Sequence, residues 1–192
     1  ADKGGAVYVN FKYDNGYNND VTATINNAVF NENKAVNGGA VYVDVAKDNK
    51  TIGANIIGST FTGNMATENG GAVYGVAEGG ESVSSSISNS TFTQNTAAKN
   101  GGAIYTKTST NVLAGTSVIE NSTFTQNKAL NGGAIASEAA ESDAGAYITV
   151  SDSTFDSNEA TNYGGAIFAP NGYVVVKDSD FVNNKATQGS AI

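Results

Sequence analysis

The apolar positions of this chain do not follow a helical period. They fall in short pieces separated by Gly, Asn, Asp and Ser, and the pieces return about every 31 residues. Six phenylalanines mark the interval: Phe30, Phe61, Phe92, Phe124, Phe155 and Phe181. An asparagine stands three positions after each: Asn33, Asn64, Asn95, Asn127, Asn158 and Asn184. Eight or nine residues after each phenylalanine comes a double glycine with alanine: Gly38-Gly39-Ala40, Gly70-Gly71-Ala72, Gly101-Gly102-Ala103, Gly132-Gly133-Ala134, Gly164-Gly165-Ala166 and a worn Gly189-Ser190-Ala191. A further copy, Gly4-Gly5-Ala6, opens the chain. A fixed period of this size is the signature of stacked repeats.

Aligned on the phenylalanine, each repeat contains three strand-like pieces. The first holds Ile25, Ile56, Ile87, Ile119, Val150 or Val176, β-branched in every copy. The second is the phenylalanine with its preceding residue (Val29, Thr60, Thr91, Thr123 or Thr154). The third is Ala-Val/Ile-Tyr after the glycines. Short β-branched and aromatic runs bounded by turn residues read as strands. No 3.6-residue apolar period is sustained, so almost no helix is expected.

Three short strands per period, repeated in register, describe a right-handed parallel β-helix of six to seven coils, a single all-β domain over 1–192. The coils run approximately 1–22, 23–53, 54–84, 85–115, 116–147, 148–173 and 174–192. Such coils stack at about 4.8 Å and equivalent residues form ladders. The phenylalanines would form an internal stack, each ring contributing roughly 1.5–3 kcal/mol by burial. The asparagines would form an amide ladder, donating to one coil and accepting from another. The double glycine would supply a left-handed corner or a close approach.

Parity adds a bend. The β-branched residue and the phenylalanine are five positions apart, and successive side chains of a strand alternate faces. Both can point inward only if the chain turns between them. Asn27, Gly58, Asn89, Asn121, Asp152 and Asp178 stand at that point, all good turn formers.

In the third strand, Val7, Val41, Val73, Ile104, Ile135, Ile167 and Ile192 should face inward. The next column, beginning Tyr8, Tyr42, Tyr74 and Tyr105, should face outward, either exposed or covered by the variable loop that follows. Those loops cover roughly 10–21, 44–53, 75–84, 107–116, 137–146 and 169–173. Solenoid insertions often gather into a binding face. Tyr42, Tyr74 and Tyr105, with Tyr13 and Tyr17 of the first loop, are the candidate ligand face for a surface glycan or protein. The competing expectation is that these rings pack beneath the loops.

The pairing of Phe-x-x-Asn with Gly-Gly-Ala-Ile/Val, as in Phe30-Asn31-Glu32-Asn33 and Gly164-Gly165-Ala166-Ile167, resembles the repeats of the chlamydial polymorphic membrane proteins. Similar repeats occur in adhesin-like surface proteins of bacteria and archaea. The resemblance covers essentially the whole chain. It implies a right-handed β-helix at a cell surface, with adhesion and self-association as activities. In that family the helix is the passenger of an autotransporter.

Composition narrows the chemistry. The formal net charge is −8, with ten lysines, no arginine and no histidine. An acidic chain without a basic patch argues against nucleic acid and anionic membrane surfaces. No apolar run is long enough to span a bilayer. With no cysteine there are no disulfides and no thiolate metal sites. Richness in Asn, Thr, Ser and Gly suits an extracellular surface protein. No signal-peptide pattern precedes Ala1, so a leader removed or an excised segment is expected.

Many right-handed β-helices cleave polysaccharides. Lyase chemistry wants an Arg or Lys base, and the lysines here are scattered. Hydrolysis needs carboxylates about 5–9.5 Å apart. Asp152, Asp178 and Asp180 are the best candidates, and they also stand where other copies carry turn residues. Without histidine a Ser/His/Asp triad is impossible. The chain is therefore expected not to be an enzyme and to need no cofactor. Calcium is conceivable at Asp14-Asn15-Gly16, Asp44/Asp48 or Glu138/Glu141/Asp143, none with the spacing of a known calcium loop. Asn49, Asn89 and Asn121 begin N-glycosylation sequons.

No capping element is read at either end. Gly4, Gly5, Ala6, Val7, Tyr8 and Val9 form a core strand at once, and the chain stops within another at Gly189, Ala191 and Ile192. The two ends look like complementary halves of a coil. Either the chain is a slice of a longer array, or copies pair head to tail through these strands, a heterologous contact that gives a filament.

Overall fold

One turn of the chain shows how the sequence becomes the fold. In the computed structural model, Val73–Glu78 is followed by Ser85–Ser88, Thr91–Thr93 and Thr96–Ala97. The next turn begins at Ile104–Thr108, paired in parallel with Val73–Glu78. The structure describes residues 1–12, 21–46, 51–78, 82–108, 116–139 and 147–192. They form a parallel β-solenoid with no helix among them.

Four sheets run the length of the stack, not the three expected. They are termed here the tyrosine, isoleucine, phenylalanine and alanine sheets, after the residues that define them. The alanine sheet is the addition. Its strands, such as Lys34–Ala35 and Thr96–Ala97, are two residues long in three of the turns. Each points a single small side chain inward: Ala35, Ala66, Ala97, Ala129 or Ala160. A strand that buries one methyl group carries no hydrophobic run to read.

The sheets are six, seven, six and five strands deep. The seventh strand, Ser82–Val83, continues Ser85–Ser88 across a break at Ser84, since both pair with Thr51–Ile57 in one register. The stack is thus five complete coils and part of a sixth, at the lower edge of the six to seven expected.

Strand parity builds the core. Ile56 points in, Gly58 turns the corner, Ser59 and Phe61 point in, and Thr60 and Thr62 point out. The corner column takes positive φ throughout: Asn27 51°, Gly58 55°, Asn89 51°, Asn121 47°, Asp152 49° and Asp178 45°. A second left-handed corner lies two residues after each phenylalanine, at Glu32, Gly63, Gln94, Gln126, Ser157 and Asn183. Its residue types vary too widely to mark it in the sequence.

Phe61, Phe92, Phe124 and Phe155 are fully buried. Neighbouring rings from Phe61 to Phe181 stack at 4.7–4.8 Å with interplanar angles of 2–4°. Adjacent strands of ordinary sheets rotate by roughly 20–25°. These rings superimpose with almost no rotation from coil to coil, so the phenylalanine column is straight.

Candidate functional site

The candidate site is the set of ladders that welds coil to coil. In the first, Asn64 Nδ2 donates to Asn95 Oδ1 (2.9 Å), Asn95 to Asn127 (3.0 Å) and Asn127 to Asn158 (2.9 Å). Each amide also donates backward to a phenylalanine carbonyl, as Asn95 does to Phe61 (3.0 Å). Each Oδ1 accepts a second bond from a backbone N–H, as Asn95 does from Asn64 (3.0 Å). Asn64, Asn95, Asn127 and Asn158 are fully buried, so these bonds replace water completely. The ladder has a direction, donor to acceptor, from the first coil towards the last. It begins at Asn33 and ends at Asn184.

Sequence reasoning missed two further ladders. Ser59, Ser90, Ser122, Ser153 and Ser179 each accept a backbone N–H from the preceding coil, with Oγ donating to the carbonyl two residues back, as Ser90 does to Ser88 (2.8 Å). The second amide ladder precedes the glycines and runs the opposite way. Asn69 donates to Asn37 (3.1 Å), Asn100 to Asn69 (3.2 Å) and Asn131 to Asn100 (2.9 Å). It stops at Tyr163, which pairs with Asn131 across a bulge and leaves the buried Oδ1 of Asn131 without a partner. Both columns recur at fixed offsets in the sequence. They were hidden because the alignment followed apolar residues.

The two glycines of each pair divide the roles expected of them. Gly101 has φ +63°, the left-handed corner. A Cβ on Gly102 would lie 2.0 Å from the Gly133 carbonyl oxygen, so that position needs close approach.

The tyrosine column faces outward, and within the stack it is closed off. Tyr42, Tyr74 and Tyr105 are 6%, 8% and 3% exposed, packed with Val76, Ala136 and Phe168 in a second cluster outside the main core. Only Tyr8, in the first coil, is open at 47%. Tyr42 stacks on Tyr74 at 4.7 Å, and Tyr105 donates to Glu138 Oε2 at 2.7 Å. Burial, then the Glu138 bond, pushes the Tyr105 hydroxyl well above the ordinary tyrosine range. These rings are therefore not presented as an open ligand face. Tyr13 and Tyr17 lie outside the described residues.

At the first coil, Lys3 Nζ pairs with Asp44 Oδ2 at 2.7 Å and lies over the Tyr42 ring at 4.9 Å. The Asp44 bond raises the Lys3 ammonium above its usual range. Val7–Lys12 is hydrogen-bonded along one edge to Val41–Ala46, and Gly4 and Gly5 donate to Asn37 and to Gly38 and Gly39. At the far end Ala191 accepts from Ala166 and Ile167, while Ile192 is 51% exposed.

Asp152, Asp178 and Asp180 are exposed, and the first two take the left-handed conformation of their corner. Asn89 and Asn121 are exposed in the same corner column. Asn49, Asp14, Asp48, Glu141 and Asp143 lie outside the described residues. Among the described residues no three acidic side chains are grouped to hold a metal, and no helix is long and apolar enough to cross a membrane.

These columns define a β-solenoid repeat protein whose polar interior is an arrangement for joining coils. The sequence shows which repeat it is: the Chlamydia polymorphic membrane protein repeat matches five times, at 27–44, 58–76, 89–107, 121–138 and 152–170, and the chain carries repeats of that type. Each match runs from the first corner through the phenylalanine and asparagine to the strand after the double glycine. No curated protein and no solved structure shows significant similarity to the chain.

Proposed function

We propose that the chain is a non-enzymatic structural element of a cell surface, an extracellular adhesin-type solenoid that joins further coils end to end. The repeat family supports the surface setting. The direction of the first amide ladder supports the joining. Among the described residues Asn33 Oδ1 receives no donor, and Asn184 Nδ2 donates only to the Phe155 carbonyl (2.8 Å). A second copy stacked head to tail brings that donor to that acceptor and Phe181 onto Phe30 once its residues 1–7 yield the column place that residues 185–192 of the first copy fill. No catalytic role is assigned to Asp152 or Asp178, because the corner accounts for their type and conformation. No cofactor is required by any of these contacts.

Light scattering of the purified chain tests the joining. Val7→Lys with Ile192→Lys places charge in both mating strands and should reduce any assembly to single copies. Assembly that persists in this variant overturns the reading.

A second reading, ligand capture by a single solenoid, is favoured by one pair. Tyr147 and Tyr173 stack at 5.0 Å on the outer face of the isoleucine sheet and are 45% and 61% exposed. Tyrosine rings open to water suit a sugar ring or a protein surface. Loss of cell or glycan binding in Tyr173→Ser, with assembly absent, would favour this reading over the first.

A further inference from the structure

The outer face of the phenylalanine sheet is unlike the others. Its strands read Thr60–Thr62, Thr91–Thr93, Thr123–Thr125 and Thr154–Asp156. The phenylalanine points in, so both neighbours point out. Thr60, Thr91, Thr123 and Thr154 form one column in register, and Thr62, Thr93 and Thr125 form a second that ends at Asp156. All seven threonines are partly exposed.

Strand propensity favours threonine at any outward position. It does not explain why uniformity is confined to one face. The outward positions of the alanine sheet are Lys34, Met65, Thr96, Lys128 and Glu159. The isoleucine sheet carries Glu120 and Lys177 outward. The phenylalanine sheet carries no outward charge from Thr60 to Thr125, its carboxylates Asp156 and Asp180 standing at the far end, in a chain with eighteen acidic residues and ten lysines.

The array is also flat. The rings beneath it stack at 4.7–4.8 Å and turn by only 2–3° from Phe61 to Phe155. The threonines above therefore lie on a regular two-dimensional lattice, with one hydroxyl and one methyl at each point. Mobile macromolecules gain little from such a lattice, whereas a crystal surface matches one. The lack of charge over the middle strands disfavours an ionic mineral. The lack of an outward aromatic ring on this face disfavours the stacking that sugars use. Water crystals remain: evenly spaced hydroxyls hold water at lattice points, and the methyls between them order the next waters.

We propose that this threonine face binds ice. The proposal is independent of end-to-end joining, since the face lies on the side of the stack.

The test is adsorption of the fluorescently labelled chain to a growing ice surface, together with the gap between melting and growth temperatures. The expected result is uptake into ice and a measurable gap. Both should fall to a small fraction in Thr93→Tyr and Thr125→Tyr, which keep the fold because the rings project outward. Thr149→Tyr, on the isoleucine sheet, should retain both, and circular dichroism confirms that each variant is folded. Exclusion of the wild-type chain from ice overturns the proposal, as does full adsorption by Thr93→Tyr. Binding to crystalline chitin or cellulose without ice adsorption also overturns it, and assigns the face to a polysaccharide crystal.

Discussion

Asn95 donates its side-chain amide to Asn127 Oδ1 at 3.0 Å while Asn127 Oδ1 also accepts the Asn95 backbone N–H at 3.0 Å, so one carbonyl holds two donors of the coil before it. Replacing Asn95 removes the acceptor of the buried Asn64 N–H and the side-chain donor to the Phe61 carbonyl, while Asn127 Oδ1 keeps only the Asn95 backbone N–H. Asn95→Leu should cost about 3–5 kcal/mol, the range for breaking a buried network. Asn131 takes part in its ladder only as a side-chain donor, its Oδ1 being already unpaired. Asn131→Leu should cost only about 1 kcal/mol. Urea unfolding followed by circular dichroism separates the two. Equal losses would show that the ladders do not carry the energy assigned to them.

Two glycines should behave in opposite ways. A methyl group on Gly102 collides with backbone, namely the Gly133 carbonyl at 2.0 Å and the Lys128 nitrogen at 2.6 Å, so neither neighbour can yield cheaply. Gly102→Ala should split the stack or abolish folding. Gly75 sits between Val43 and Thr106 in the tyrosine sheet, facing a small internal void of about 10 Å³. Gly75→Ala fills part of it and reduces unfolded-chain entropy, with an expected gain of about 0.5–1 kcal/mol. Thermal melts of both variants give the comparison.

Much of this architecture was legible in the chain itself. The period, the phenylalanine and asparagine columns and the corner at Asn27 to Asp178 follow from spacing and parity, and the structure has them. What was not legible depends on residues that bury little. Ala66 and Ala97 define a whole sheet with one methyl group per strand, and Gln94 and Gln126 turn a left-handed corner without glycine. The tyrosine column illustrates a different limit. Alternation sends Tyr42, Tyr74 and Tyr105 outward correctly, but alternation within one strand says nothing of what packs over it. Two open rings, Tyr147 and Tyr173, lie on another sheet, where no repeat motif pointed.

Alkali should weaken the tyrosine cluster selectively. In the folded chain the Tyr105 hydroxyl is held above its ordinary range, first by burial and then by its bond to Glu138. A group whose folded pKa is raised contributes stability below its unfolded pKa, which is about 10 for tyrosine. That contribution declines as pH climbs above 10. The unfolding midpoint should fall between about pH 10 and 11 in the wild type, and fall less in Tyr105→Phe. At neutral pH Tyr105→Phe should cost about 1 kcal/mol through the lost bond to Glu138. An unchanged alkaline slope in Tyr105→Phe would remove Tyr105 as the source.

The exposed ion pairs should matter little by comparison. Lys99–Glu68 and Lys128–Glu159 are both 2.8 Å long, and each lowers its carboxyl's pKa chiefly through the lysine hydrogen bond. All four side chains are at least 40% exposed, where water and salt screen the attraction. Raising the salt concentration should therefore leave the melting temperature nearly unchanged. A large drop would mean that surface charge, rather than the buried ladders, holds the coils together.

Negative-stain electron microscopy of the purified chain across a concentration series tests the central claim, that the coil-joining ladders continue from one copy to the next. The account predicts unbranched fibres one solenoid wide, lengthening with concentration and absent in Val7→Lys/Ile192→Lys. Dispersed single particles at every concentration would contradict it.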